Sequence, residues 1–170
     1  MKHNIVRINK IVLSNFKNVK KGIVEMPAYS GKELFLEKAD VLGLYGQNGS
    51  GKTSVVEALR FVKMLLSGEE LPADTKEYIA QGEEECEIDV SFSVAEEAQK
   101  ETVNYSVALK KDADGFVISH ERMTVVPRKE NIRAVESTLI DYQYDNEDVT
   151  FAPEYRYKKL VANDTKLRVA

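Results

Sequence analysis

Residues 46–53, Gly-Gln-Asn-Gly-Ser-Gly-Lys-Thr, constrain the fold of this chain more than any other feature. They match the pattern Gly-x-x-x-x-Gly-Lys-(Ser/Thr), in which backbone N–H groups and a lysine hold nucleotide phosphates. The apolar run at 41–45 before the loop is predicted to be a buried strand, and residues 53–66 after it a buried helix. A strand, a glycine-rich loop and a helix in this order predict a site for a nucleoside triphosphate.

The residue types of the loop suit this chemistry. Gly46, Gly49 and Gly51 allow the backbone to curl and to approach the phosphates closely. Lys52 supplies a compact mobile charge for the β- and γ-phosphates, and Thr53 supplies a hydroxyl for Mg²⁺. The alternative interpretation is a glycine turn with a surface lysine, which leaves the flanking strand and helix unexplained.

Charge and composition limit the functions that the sequence allows. The whole chain has 170 residues and a net charge of −4. Residues 1–52 are basic and residues 69–101 strongly acidic, so the acidic middle is not predicted to touch nucleic acid. Cys86 is the only cysteine, which excludes an intrachain disulfide and favours an ordinary, partly buried cysteine over a redox role. We find no signal-peptide pattern and no apolar run near ~20 residues, so we expect a cytoplasmic protein without membrane contact.

The order of elements predicts an α/β fold: a P-loop NTPase lobe, with a mixed sheet around one buried helix and an inserted antiparallel β-subdomain. Gly68 is the predicted end of the helix. Strict alternation at 87–94 and 103–110 predicts half-buried strands, with a return strand at 116–126 and a further strand at 137–144. The predicted organisation is a P-loop core, an acidic connection, the β-subdomain and an uncertain tail, at residues 1–68, 69–86, 87–150 and 151–170.

Further motifs resemble one family. Residues 11–18 look like an opening strand that ends in Leu-x-Asn-Phe-(Arg/Lys)-(Asn/Ser), and residues 46–53 match the narrower form Gly-x-Asn-Gly-(Ser/Ala)-Gly-Lys-(Ser/Thr). Residues 56–59, Val-Glu-Ala-Leu, look like its usual continuation. Over residues 5–126 the chain resembles the N-terminal segment of SMC/RecF/OLD-like ATPases of the ABC class, and also the stand-alone AAA-type ATPases of phage-defence systems.

This resemblance implies ATP and Mg²⁺ as ligands and adds site residues. Lys17 would reach the phosphates, Asn48 the γ-phosphate and Ser54 the α-phosphate, whereas Gln143 would contact the metal and the attacking water. A surface lysine and a surface glutamine are the alternatives for Lys17 and Gln143. The predicted metal contacts are Thr53 and Gln143, and the predicted nucleotide-binding residues are Lys17, Gly46, Asn48, Gly49, Ser50, Gly51, Lys52, Thr53 and Ser54.

The resemblance also implies parts that this sequence lacks. An ABC-class site needs a Leu-Ser-x-Gly signature at a helix N-terminus and an apolar strand ending in Asp-Glu, the Walker B segment. Residues 66–70 resemble the signature, but they fall at the C-terminal end of the predicted helix. Residues 139–141 do not match the Walker B segment, because the apolar run before Asp141 is too short and Tyr142 follows it instead of Glu. We therefore expect a fragment with no catalytic residue of its own, which hydrolyses ATP only with a missing C-terminal lobe and dimerises through ATP.

Two other functions stay open. One is a non-hydrolysing, ATP-gated docking module in DNA repair or phage defence. The other is an unrelated P-loop kinase or GTPase, although no guanine-reading Asn-Lys-x-Asp is present. DNA is a partner by family analogy only. The aromatic and basic residues at 155–159 suit base stacking and phosphate contact, but a solvated surface is the favoured explanation for them.

Overall fold

The computed structural model describes residues 5–26, 41–96, 99–113, 115–127, 135–144 and 149–151. The stretch at 155–159 and the predicted tail beyond residue 151 lie outside this part. The described residues form seven strands, one α-helix and one 3₁₀ helix. In chain order these are β1 (Ile5–Phe16), β2 (Val19–Glu25), α1 (Lys52–Leu66), the 3₁₀ helix (Ala73–Tyr78), β3 (Glu85–Glu96), β4 (Gln99–Asp112), β5 (Gly115–Pro127), β6 (Ser137–Gln143) and β7 (Val149–Phe151).

The seven strands form one sheet in the order β2-β1-β3-β4-β5-β6-β7. Every neighbouring pair is antiparallel. Ile11 of β1 lies opposite Val24 on one side and Val90 on the other, which aligns apolar residues across three strands. The part of the predicted mixed sheet that the structure describes is therefore antiparallel.

The predicted alternating strands are confirmed as β3 and β4. Ile88 and Val90 of β3 are buried, as are Tyr105 and Val107 of β4, whereas Ser106 between them lies on the opposite face. The return strand is β5, and the strand predicted at 137–144 is β6. One face of the sheet is thus apolar and the other polar, as expected when only one side is covered.

β1 and β3 join the regions before the loop and after the acidic connection. The two strands pair from Ile5 opposite Ala95 to Ser14 opposite Glu87. The strands of the predicted P-loop core and those of the predicted β-subdomain therefore belong to one sheet. The domain boundaries at residues 68 and 86 stay a prediction.

Helix α1 lies against the apolar face of the sheet and ends as the sequence predicts. Gly68 adopts a left-handed conformation with φ 65°, and its N–H donates to the Leu65 carbonyl at 3.0 Å. The Glu69 N–H donates to the Met64 carbonyl at 2.9 Å. These two bonds form a Schellman motif, which satisfies carbonyl groups that a helix end otherwise leaves free.

The burial of α1 is one-sided. Ala58, Phe61 and Val62 are buried against the sheet, but Val56 is 63% exposed and Leu66 40% exposed. The prediction of a buried helix therefore holds for one side of α1 and is wrong for the other, within the described part of the chain. The physical reason is that the sheet covers one side of α1 only.

The 3₁₀ helix seals one end of the core. The ring of Tyr78 packs on Phe16 of β1 and on Phe61 of α1, with centroid distances of 5.1 and 5.4 Å. The Lys17 N–H donates to the Tyr78 carbonyl at 2.7 Å, and the Ala80 N–H donates to the Asn15 carbonyl at 2.9 Å. Backbone and ring contacts thus fix the connection after α1 to the end of β1.

The segment before the loop differs from its prediction. Residues 41–45 form no strand, and Val41 and Tyr45 are 89% and 95% exposed. The prediction of a buried strand is therefore wrong. A strand needs neighbouring backbone to satisfy its N–H and C=O groups, and no described strand pairs with this segment.

Cys86 lies in β3 and is 2% exposed, so it is buried more completely than the sequence predicts. Burial raises the pKa of its thiol to about 12. Within the described residues, α1 is too short to cross a bilayer and no other helix qualifies.

Candidate functional site

The loop backbone at residues 46–53 is curled through left-handed glycines. Gly49 and Gly51 have φ values of 83° and 87°, a region that residues with a Cβ rarely adopt. A Cβ on Gly51 would also collide with Cγ2 of Val19, at the start of β2. The glycine at 51 is therefore required twice, by its own conformation and by the close approach of β2.

The N-terminus of α1 is suited to an anion. Gly51 precedes the helix without a side-chain cap, and the first turn carries no acidic residue. Its N–H groups have no partners within the helix, and they form the positive end of the helix dipole. A phosphate group would satisfy both the hydrogen-bonding capacity and the charge of this end.

Lys52 folds back over its own loop. Its Nζ donates to the carbonyls of Gly46 and Gln47 at 2.8 and 2.6 Å, and it lies 3.2 Å from Oγ of Ser50. The Ser50 N–H donates to the Gln47 carbonyl at 3.3 Å. The ammonium group therefore lies beside the glycines that curl the loop, where a bound phosphate could take the place of the carbonyls.

Asn18, in the turn between β1 and β2, contacts both the loop and the helix. Its Nδ2 donates to the Gly49 carbonyl, and its Oδ1 accepts a hydrogen bond of 2.7 Å from Oγ of Ser54. Ser54 is 3% exposed, so its hydroxyl is turned toward Asn18 and away from solvent. Sequence reasoning missed Asn18 as a site residue, although it is the last residue of the motif at 11–18.

Lys17 lies next to the loop but contacts α1. Its Nζ is 2.7 Å from Oε1 of Glu57 and 5.4 Å from the centre of the Tyr78 ring. The ion pair is about one-third exposed on each side, which makes it a modest contribution to stability. The predicted contact of Lys17 with phosphates would require this side chain to leave Glu57, and it stays a prediction.

The remaining predicted residues lie at different distances from the loop. Asn48 and Thr53 are exposed, at the loop tip and in the first turn of α1. Gln143 is exposed at the end of β6, four strands from β1. Its role as a metal contact stays a prediction.

A cavity of about 210 Å³ adjoins the loop. Aliphatic side chains of β1 and β2 line one side of it, and Leu44, Tyr45, Ser50 and Lys52 line the other. A larger cavity of about 330 Å³ lies over the polar face of β3–β5, with Lys10, Asp89 and Arg122 in its wall. The wall of the larger cavity includes neither the glycine loop nor a helix N-terminus, whereas residues of the loop and the first turn of α1 line the smaller one.

Comparison with known proteins gives a matching family and a similar solved structure. A family model described as "AAA domain, putative AbiEii toxin, Type IV TA system" matches residues 41–166, more than half of the chain. A structure of "the recombination mediator protein RecF-ATP in RecFOR pathway" is similar, with 18% sequence identity and a TM-score of 0.38. The similarity covers 88% of this chain and 30% of that one, so the chain spans less than a third of the RecF chain. No curated protein matches the sequence.

Proposed function

The chain belongs to this family of AAA domains, and from that membership and the loop geometry we propose that it is the ATP-binding N-terminal lobe of an ABC-class ATPase. The observation that carries the proposal is the curled loop that places Lys52 beside the uncapped N-terminus of α1. The glycine-rich loop, the positive end of the helix dipole and one lysine lie together, and a polyphosphate would be held there.

Thr53 is the proposed magnesium ligand. Its side chain is exposed in the first turn of α1, beside the lysine that would hold the same phosphates. No group of three or more His, Cys, Asp or Glu side chains among the described residues could hold a metal by itself. This fits Mg²⁺, which takes most of its ligands from phosphate oxygens and water. Bound there, Mg²⁺ would neutralise part of the phosphate charge.

Hydrolysis requires groups from a second lobe. Ser67 and Gly68 lie in the C-terminal Schellman motif of α1, where carbonyl groups point outward, so they offer no N–H groups to a nucleotide. The sequence contains no apolar strand that ends in Asp-Glu. We infer that a C-terminal lobe supplies the signature and Walker B segments, that two copies meet through ATP, and that the protein acts in the cytoplasm.

Exposed apolar residues support the need for a second lobe. Val41, Leu42 and Leu44 before the loop are 89%, 39% and 37% exposed, and Val56 of α1 is 63% exposed. Their exposure is costly in water, since each buried side chain of this size gains about 1.5–3 kcal/mol. A lobe that adds a strand beside residues 41–45 would cover them and would complete the predicted strand.

The first experiment measures Mg-ATP binding by calorimetry. Lys52→Ala removes the lysine of the loop, so we expect binding to fall below detection while the unfolding temperature changes little. Lys63→Ala is the matched control, because Lys63 is exposed in the last turn of the same helix. Unchanged ATP affinity in Lys52→Ala would refute the proposal.

Turnover separates this function from the alternatives. We expect the isolated chain to bind ATP without hydrolysis, and a longer form that carries the second lobe to hydrolyse it. A longer form that binds ATP but never hydrolyses it would favour the ATP-gated docking module. ATP hydrolysis by the isolated chain, lost in Lys52→Ala, would instead favour an unrelated P-loop enzyme.

A further inference from the structure

Asn18 joins three elements of the site through one side chain. It lies in the turn from β1 to β2, its Nδ2 bonds the Gly49 carbonyl of the loop, and its Oδ1 bonds Ser54 of α1. Gly49 is 31 residues away along the chain and Ser54 is 36 residues away. A single amide therefore links the sheet, the loop and the helix.

The orientation of this amide follows from its partners. A backbone carbonyl only accepts hydrogen bonds, so the atom of Asn18 that faces Gly49 must be the donor Nδ2. The remaining atom, Oδ1, then accepts from the Ser54 hydroxyl. Both ends of the amide are satisfied, and exchanging the two would break at least one of the bonds.

The bond to Gly49 restrains the part of the loop that is freest to move. Ser50 lies between two glycines with positive φ, and glycine loses more conformational freedom on ordering than any other residue. In a trans peptide the C=O and the following N–H point in opposite directions. Holding the Gly49 carbonyl toward Asn18 therefore also helps to set the direction of the Ser50 N–H, which donates to the Gln47 carbonyl at 3.3 Å.

The turn itself does not require asparagine at this position. The residues with left-handed backbone here are Asn15 and Lys17, with φ values of 52° and 53°, and not Asn18. Asparagine is often selected for such a conformation, but that reason is missing for Asn18. What its side chain does is make the two bonds to Gly49 and Ser54.

We propose that Asn18 is a positioning residue for nucleotide binding: it orders the backbone of the loop against which the phosphates bind. The inference rests on the proposed ATP-binding function. Ordering the loop before binding removes part of the entropy cost that the nucleotide would otherwise have to offset. Removal of the bonds is therefore expected to weaken ATP binding without unfolding the chain.

The test uses two variants of Asn18 and one control. Asn18→Ala removes both bonds, and we expect it to weaken Mg-ATP affinity about tenfold, the effect of roughly 1.4 kcal/mol in lost hydrogen bonding. Asn18→Asp has the same shape and keeps the acceptor for Ser54, but it places an acceptor against the Gly49 carbonyl. We expect it to bind ATP at least as weakly as Asn18→Ala. Asn104→Ala, an exposed asparagine of β4, is the matched control.

Affinity measurements at high salt distinguish two effects of Asn18→Asp. One is the loss of the hydrogen-bond donor, and the other is repulsion between the new carboxylate and the phosphates. At 1 M salt the Debye length is about 3 Å, so repulsion at a distance is screened. If the lost donor weakens binding, the difference between wild-type and variant affinity should remain at 1 M salt. If only charge repulsion weakens binding, the two affinities should become equal. Asn18→Asp with wild-type affinity, or Asn18→Ala within twofold of wild type, would overturn the proposal.

A second readout does not depend on ATP. Amide hydrogen exchange at residues 49–54 of the nucleotide-free chain should be several-fold faster in Asn18→Ala than in wild type, and unchanged in Asn104→Ala. If the wild-type chain fails to bind ATP, the proposed function fails while the exchange data still test Asn18. Equal exchange in Asn18→Ala and wild type, with equal thermal unfolding, would show that Asn18 does not order the loop.

Discussion

At the scale of single residues, Tyr105 and Glu121 place a polar pair in the apolar face of the sheet. The Tyr105 hydroxyl donates to Oε1 of Glu121 at 2.6 Å, and Glu121 is 9% exposed. Burial raises the pKa of the Glu121 carboxyl, although the Tyr105 hydrogen bond and nearby His120 oppose this shift. Burial and the neighbouring Glu121 also raise the pKa of Tyr105. The buried pair thus favours a protonated carboxyl.

The raised pKa of Glu121 predicts a specific pH dependence of stability. The folded chain holds this proton more tightly than the unfolded chain, so the contribution of Glu121 is greatest below about pH 4.5 and falls as pH rises through the raised folded value. Glu121→Gln mimics the protonated form. We expect its free energy of unfolding to equal that of wild type in acid and to exceed it at pH 7.

Urea denaturation across pH 4–8 checks this prediction, with Glu84→Gln as the control at an exposed glutamate. A wild-type chain that is more stable than Glu121→Gln at pH 7, by an amount that grows with pH, would contradict it.

The residues of the phosphate loop are predicted from sequence because motif, glycines and lysine all lie within eight positions. Asn18 could not be found in this way. Its partners are distant in sequence, and one asparagine after a lysine has no pattern that separates a bridging side chain from an ordinary turn residue.

At the scale of elements, local patterns predict what local forces decide. The period of two in β3 and β4 and the glycine after α1 give the correct strands and helix end. Residues 41–45 carry an equally apolar pattern, yet no strand forms, because strand formation depends on a neighbour that the described chain does not supply. Composition identifies an apolar segment but does not identify its partner.

The helix end provides the element-scale prediction. Gly68→Ala forces a residue with a Cβ into a left-handed conformation, so we expect about 1 kcal/mol lower unfolding free energy. Ser67→Ala is the control, because Ser67 has φ −91° and tolerates alanine. Chemical denaturation measures both variants, and equal stability of the two would show that the Schellman turn is not stabilising.

At the scale of the whole molecule, the family match confirms the predicted relationship to AAA-type ATPases. The joining of β1 to β3 was not predicted, because a register between strands separated by more than seventy residues depends on packing and not on local pattern. The strands on both sides of the loop therefore form a common support, on which Asn18 and Val19 hold the loop in place.

The exposed face of α1 allows a test of where the second lobe binds. Val56→Gln adds a polar group at a 63% exposed position, so we expect the stability of the isolated chain to change by less than about 0.5 kcal/mol. In a longer form that carries the second lobe, we expect the same change to reduce ATP hydrolysis, because the amide would be buried at the contact between lobes. Lys63→Gln is the control on the same helix, and normal hydrolysis in Val56→Gln would place the second lobe elsewhere.

Cys86 has a practical consequence. Because the sequence holds one thiol and the sheet encloses it, alkylating reagents can reach that sulfur only in molecules whose sheet has opened. The rate at which Cys86 is modified therefore reports how often the sheet opens. Fluorophores can be attached to the protein surface through one added cysteine without replacing the native one.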